Sequence, residues 1–247
     1  HSTDPTGGTF FMRVEFQLPM LEEKEEKVKA RFAPIADAFK MEWWFSLASR
    51  IKRIAIFASK AEHALLELLW RRRSGDLLAE IVMVISNHND LEKITLSENI
   101  PFHRVPVDPK EKESAEEKQI ALMKEKVDLV VLARYMQILT PYFIQHYPNK
   151  IINIHHSFLP AFVGANPYVQ AYEKGVKLIG ATAHYVTEAL DAGAIIEQDL
   201  ERVNHRHSVE ELKQIGQHIE RMVLARAVTW HVEDRILVYG NKTIVFA

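Results

Sequence analysis

Four short, unbroken apolar runs constrain this chain more than any other feature: residues 54–58, 81–85, 129–133 and 151–154. A strand with one wet face alternates apolar and polar residues, whereas a strand covered on both faces reads as a continuous β-branched or aliphatic run. Helical stretches lie between these runs, at 61–72 and 111–126. The order β-α-β-α predicts an α/β fold with a doubly wound, mostly parallel sheet. Later segments depart from that grammar. Residues 177–186 and 194–203 read as a strand pair around Asp191-Ala-Gly193, and 209–228 as a long helix with Ser208 and Glu211 spaced as a capping box. Residues 236–246 read as a hairpin turning at Gly240-Asn241.

Residues 1–48 follow a different pattern. Phe10, Met12, Val14, Phe16 and Leu18 alternate with Phe11, Arg13, Glu15 and Gln17, the period of a half-covered strand that Pro19 ends. Residues 22–40 carry Val28, Phe32, Ile35, Ala36 and Phe39 on one helical stripe, with Pro34 inside it. Trp43, Phe45 and Leu47 alternate again. Strand–helix–strand is too little for a core of its own, so 1–48 reads as part of a larger unit, preceding a second domain over 50–247.

Composition enters mainly by exclusion. With no cysteine, the chain has no thiol nucleophile, thiolate metal site or disulfide, and it suits a reducing compartment. A formal charge of −2 and a single basic run, Arg71-Arg72-Arg73 at a helix end, give no footprint for nucleic acid. No apolar run is long enough to span a bilayer. The start at His1 resembles neither a signal peptide nor an initiating sequence and implies residues upstream. The expectation is a cytoplasmic protein without membrane or nucleic-acid partners.

In an open α/β sheet, ligands gather at the carboxyl ends of the strands. Those ends are Ser59 and Lys60, residues 86–90, 134–138 and 155–164. The richest lies at 153–157, where a buried strand turns polar as Asn153-Ile-His-His-Ser. Alternation puts Asn153 and His155 on one side and His156 on the other. An amide beside an imidazole suits attack on a carbonyl, the amide stabilising the oxyanion and the imidazole moving protons. Ser157 is placed to orient the ring or a water. Three residues make a weak motif, and taken alone they favour a cluster that merely satisfies loop hydrogen bonds. Asp191 reads either as a turn residue or as a carboxylate aimed at His155. Zinc would need more ligands than adjacent, outward-splayed histidines supply; His184 and Asp191 are the available additions, and the expectation is no metal. The other histidines, His63 and His231 among them, read as surface or locally paired. No G-x-G-x-x-G, Walker loop or G-x-S-x-G elbow occurs.

Asn153-Ile-His-His-Ser-Phe-Leu-Pro160, Gly180-Ala-Thr-Ala-His-Tyr-Val186 and Asp191-Ala-Gly193 together resemble, in order and spacing, the linked motifs of the folate-dependent formyltransferase family. The resemblance extends over about residues 50–247 and implies that fold, with Asn153, His155 and Asp191 as the catalytic set. It also implies substrate contacts from Arg134, Met136, Ile138, Leu139, His156, Ser157, Gly164, His184 and Val186, and no cofactor, since the folate is itself the substrate. Gly164-Ala-Asn-Pro-Tyr168 and Val238-Tyr-Gly-Asn-Lys-Thr-Ile244 are closest to the branch that hydrolyses 10-formyltetrahydrofolate and so supplies formate for purine synthesis. Asn166 departs from the arginine expected there. Residues 1–48 resemble the second half of an ACT domain, which implies an amino-acid effector and a homo-oligomer.

The rival branch transfers the formyl group to glycinamide ribonucleotide. It uses a small, Gly/Ser/Asn-rich turn after the first strand, where this chain has Ala58-Ser-Lys-Ala-Glu62. Without glycine the backbone cannot close on a phosphate, and Glu62 adds repulsion that Lys60 only partly offsets. With no amine site, water becomes the acceptor. A non-catalytic sensor on the same scaffold is the third reading, which an intact Asn153, His155 and Asp191 disfavour.

Overall fold

The alternating N-terminal stretch and the continuous runs meet different fates in the computed structural model, which describes residues 1–3, 8–159 and 167–246. The chain divides into two units, 1–51 and 52–245. In the first, β1 (Ser2–Thr3) pairs antiparallel with β2 (Phe10–Phe11), and α1 spans Leu21–Ala38 with Pro34 inside it. The strands expected over 10–18 and 43–47 do not form beyond Phe11. Period two makes a strand only where a neighbour supplies N–H and C=O partners. Burial is also inverted: Phe11 is covered, while Phe10, Met12, Val14, Phe16 and Leu18 are exposed. Trp43, Phe45 and Leu47 still share a half-buried side without a ladder. Phe32 of α1 packs edge-on against Trp43 at 5.0 Å, and Phe16 lies 6.1 Å from Phe45.

The second unit carries the sheet. In chain order its elements are β3 (Lys52–Ala58), α2 (His63–Ser74), β4 (Ala79–Ser86), α3 (Glu92–Ser97), β5 (Phe102–Arg104) and α4 (Lys112–Met123). Then come β6 (Leu129–Leu132), α5 (Pro141–His146), β7 (Ile151–His155), α6 (Pro167–Glu173), β8 (Leu178–Tyr185), β9 (Ile195–Arg202) and α7 (Val209–Val232). The hairpin β10 (Ile236–Tyr239) and β11 (Lys242–Val245) turns at Gly240, whose φ is +57°. Strand order is β5-β4-β3-β6-β7-β8-β9, parallel through β7 and antiparallel at β8 and β9.

The continuous runs are explained by two cores, one on each face. Ile54 and Ile56 pack with Leu65 and Leu68 of α2 and Val223, Leu224 and Val228 of α7. Ala55 and Phe57 pack on the other side with Met123 of α4 and Phe143 of α5. The capping box at the start of α7 is present: Ser208 N–H donates to Glu211 at 2.7 Å and Glu211 N–H to Ser208 Oγ at 3.3 Å. The basic run ends α2 as expected, with Arg71 on Glu67 and Arg73 on Glu98. Among the described residues no helix is long and apolar enough to cross a membrane. Chain order reverses direction across the sheet between β3 and β6, which opens a crevice at their carboxyl ends.

Candidate active site

Strand β7 delivers the central residues to that crevice. Ile152 and Ile154 enter the first core, so Asn153 and His155 point to the opposite side of the strand. In the antiparallel pairing with β8, Asn153 lies opposite His184 and His155 opposite Thr182. A register shift between Ala183 and His184 marks a bulge against β9 beside the site.

Asp191 arrives from the β8–β9 connection. Its φ is +53°, a left-handed conformation that Asp tolerates better than most residues. Gly193 is required for a different reason: a Cβ there would lie 1.8 Å from the Tyr185 carbonyl oxygen. The D-x-G triplet is therefore a turn signal that also aims a carboxylate. Asp191 Oδ2 lies 3.2 Å from His155 Nδ1, and Oδ1 lies 3.5 Å from His184 Nε2. The hydrogen bond from His155 holds Asp191 far below the usual carboxylate range despite partial burial.

His184 Nδ1 faces the Tyr185 carbonyl at 2.9 Å and Nε2 faces Asn153 Nδ2 at 3.3 Å. With Nδ1 donating to the carbonyl, Nε2 of the neutral ring accepts from the Asn153 amide, and this fixes which way the amide points. His155 is buried, and its Nε2 has no hydrogen-bond partner among the described residues. Thr182 donates to the Ser157 carbonyl at 2.9 Å, accepts from Leu159 N–H at 3.0 Å and from Gln198 at 2.9 Å. That network pins the turn leaving β7.

Other predicted site residues fall as follows. His156 does not splay away: β7 ends at His155, and the following bend stacks the two rings at 5.1 Å and 21°. Burial first, and then the Arg134 charge, push His156 down to about 4. Ser157 and Leu139 are buried, Val186 is half-buried, and Met136 and Ile138 are exposed at 62% and 59%, open to a ligand's apolar face. Val186 N–H donates to the Ile151 carbonyl at 2.9 Å, tying the β8–β9 connection to β7. Arg134 and Met136 both have positive φ, +63° and +51°. Gly164 and Asn166 lie outside the described residues.

Two histidines differ from the expectation of local pairing. His63 meets Glu220 at 2.8 Å and His231 meets Tyr185 Oη at 2.7 Å, both across long sequence separations. Sequence reading gave no role to Glu220 or Gln198, nor to Tyr168 and Thr182 within the segments that carry the resemblance, because their contacts exist only once the fold brings the partners together. A glutamate at a position of α7 facing the core was the available sign.

A carboxylate-oriented imidazole with one open nitrogen, beside an amide donor at the strand ends of an α/β sheet, is an arrangement that suits acyl transfer or hydrolysis. Comparison with known proteins narrows it. Residues 52–228 match the formyl transferase family. Formyltetrahydrofolate deformylase of Bacillus subtilis (strain 168) is 57% identical over 247 residues, covering 100% of this chain and 82% of that protein. The crystal structure of a formyltetrahydrofolate deformylase from Pseudomonas putida KT2440 superposes with a TM-score of 0.92 at 43% identity, over 99% of this chain and 88% of that one. Glycinamide ribonucleotide transformylase 1 from Symbiobacterium toebii gives 0.75 at 28% identity, over 84% of this chain and 99% of that one. The chain belongs to the formyl transferase family and, within it, to the formyltetrahydrofolate deformylases.

Proposed function

We propose that the chain hydrolyses 10-formyltetrahydrofolate to formate and tetrahydrofolate, with Asn153, His155 and Asp191 as its catalytic residues. One observation carries the chemistry: His155 Nδ1 is held by Asp191 while Nε2 is buried and unpartnered among the described residues. With Nδ1–H donating to the carboxylate, Nε2 of the neutral ring presents its lone pair. It takes a proton from water as the water oxygen attacks the formyl carbon, and Asp191 steadies the imidazolium. The formyl oxygen gains charge, which the Asn153 N–H not directed at His184 stabilises. The C–N10 bond then breaks, N10 leaves with the proton held by His155, and the carbon departs as formate.

In this reading the pterin lies along Arg134, Met136, Ile138 and Leu139 and the 186–191 loop, and His156, Ser157, His184 and Val186 complete the walls. Water is the acceptor because the β3–α2 turn offers no phosphate cradle. Ser59 Oγ is occupied by Asn87 Oδ1 at 2.7 Å and by the Tyr135 carbonyl, and Glu62 is exposed at the start of α2. Formate release from 10-formyltetrahydrofolate, with and without glycinamide ribonucleotide, tests this. Hydrolysis without the nucleotide supports the reading, and formylation of the nucleotide overturns it. Asn153→Ala should lose roughly 100- to 1000-fold in turnover; near-normal hydrolysis would remove Asn153 from the mechanism.

For residues 1–48 we propose a regulatory unit that takes an amino-acid effector and pairs between copies of the chain. Its support is the apolar row Phe10, Met12, Val14, Phe16 and Leu18, 38% to 64% exposed. Sedimentation that finds only monomer at micromolar concentration removes the pairing. The cysteine-free chain suits the cytoplasm, where we place it.

A further inference from the structure

We infer that Glu220 is a positioning residue for this site: a buried carboxylate that ties together the connections leaving three neighbouring strands around His155. The inference rests on the assignment of the site proposed above. Glu220 sits on α7 and is 1% exposed. Its Oε2 lies 2.8 Å from His63 Nε2 and 3.4 Å from Arg134 Nε, and its Oε1 accepts from Tyr168 Oη at 2.7 Å. Each partner comes from a different place. His63 opens α2, just beyond β3; Arg134 follows β6; Tyr168 lies on α6, and its ring faces His156, which follows β7, at 6.5 Å. Strands β3, β6 and β7 are adjacent in the sheet. One side chain thus reaches the carboxyl-end connections of all three.

Two contacts lead from this carboxylate to the reacting groups. Arg134 holds φ +63°, a conformation that a bulky residue keeps only when its surroundings impose it. It begins the 134–139 segment, so its charge pairing with Glu220 sets where that wall starts. Tyr168 leads the other way, to His156, whose ring stacks on His155. Gly216, one turn before Glu220, makes room for this tyrosine: a Cβ there would lie 2.0 Å from Tyr168 Oη. A cluster of buried charges is a poor way to fill a core for stability alone, because apolar side chains of equal volume do so at least as well. Geometry is what the cluster provides that apolar packing does not.

The test uses Glu220→Gln, His63→Phe and the double variant, with kcat and KM for 10-formyltetrahydrofolate and the thermal midpoint measured for each. His63 contacts no substrate in this reading, so an effect of His63→Phe on kcat/KM reports positioning through Glu220. Glu220→Gln should lower kcat/KM on the order of 10- to 100-fold, as misplacement of site groups by up to about 1 Å does. His63→Phe should act in the same direction by less, and add nothing when placed on Glu220→Gln. Variants within about twofold of the parent in kcat/KM, with a lowered midpoint, or a double variant whose losses simply multiply, overturn the inference. Should Glu220→Gln not fold, His63→Phe decides by the same criterion. A parent chain that releases no formate takes down both the function and this role. An active parent with unaffected variants takes down this role alone.

Discussion

Two carboxylates stand on either side of the stacked pair His155 and His156, and the fold treats them in opposite ways. Asp191 sits on a loop at positive φ, its side chain 16% exposed, shared between His155 and His184. Glu220 sits within a helix, 1% exposed, shared among His63, Arg134 and Tyr168. Both have two basic partners, but the buried nitrogen left without a hydrogen bond among the described residues differs: in the Asp191 cluster it is His155 Nε2, which can present a lone pair, and in the Glu220 cluster it is Arg134 Nε, which can only donate. The difference separates chemistry from scaffolding. On the roles proposed above, the carboxylate that answers a change of charge on its partner is the partly exposed one, and the one that holds its partners still is sealed into the core.

The largest effect that would break this comparison is at Asp191. Asp191→Asn keeps the shape but removes the charge that selects the His155 tautomer, and kcat should fall roughly 10³- to 10⁴-fold with little change in thermal midpoint. A loss below about tenfold would leave Asp191 a turn residue and nothing more. Glu220→Ala should show the converse weighting. It strands Arg134 without its counter-charge and should destabilise the fold by about 3–5 kcal/mol in urea unfolding. A loss under about 1 kcal/mol would mean that water reaches the cluster and that Glu220 is no sealed anchor.

The smallest effect lies between the two carboxylates. His156 is pushed down to about 4, by burial first and the Arg134 charge second, while Glu220 and Asp191 act upward. Its folded value lies below the unfolded 6.5, so the unfolded chain binds more protons between the two. The contribution from the neutral ring is therefore whole above pH 6.5 and is lost as pH falls toward 4. With the ring partly open to solvent, the loss should be about 1–2 kcal/mol across that window. Urea midpoints of the parent and of His156→Phe, compared at several pH values, check it: the variant should show the shallower decline, and parallel curves would refute the shift.

How much was legible beforehand follows the same division. The runs at 54–58, 81–85, 129–133 and 151–154 became β3, β4, β6 and β7, because a strand with a core on each face needs apolar side chains on both sides. The capping box of α7 and the glycine turn of the last hairpin were local enough to read residue by residue. The alternation at 10–18 misled, since period two describes which way side chains point and says nothing about a partner for the backbone. His156 misled for a related reason: alternation holds only inside a strand, and β7 ends one residue earlier.

Sequence by itself determined the class of sheet and the strand end that carries polar residues, and through its linked motifs it suggested the set Asn153, His155 and Asp191, because local periodicity and motifs are written along the chain. Only the tertiary structure decided that Asp191 reaches His155 and His184 together, that His184 orients the Asn153 amide, and that Glu220 gathers His63, Arg134 and Tyr168. These contacts join residues up to 157 positions apart, and such neighbours exist only once the crossovers have stacked helices on both faces of the sheet.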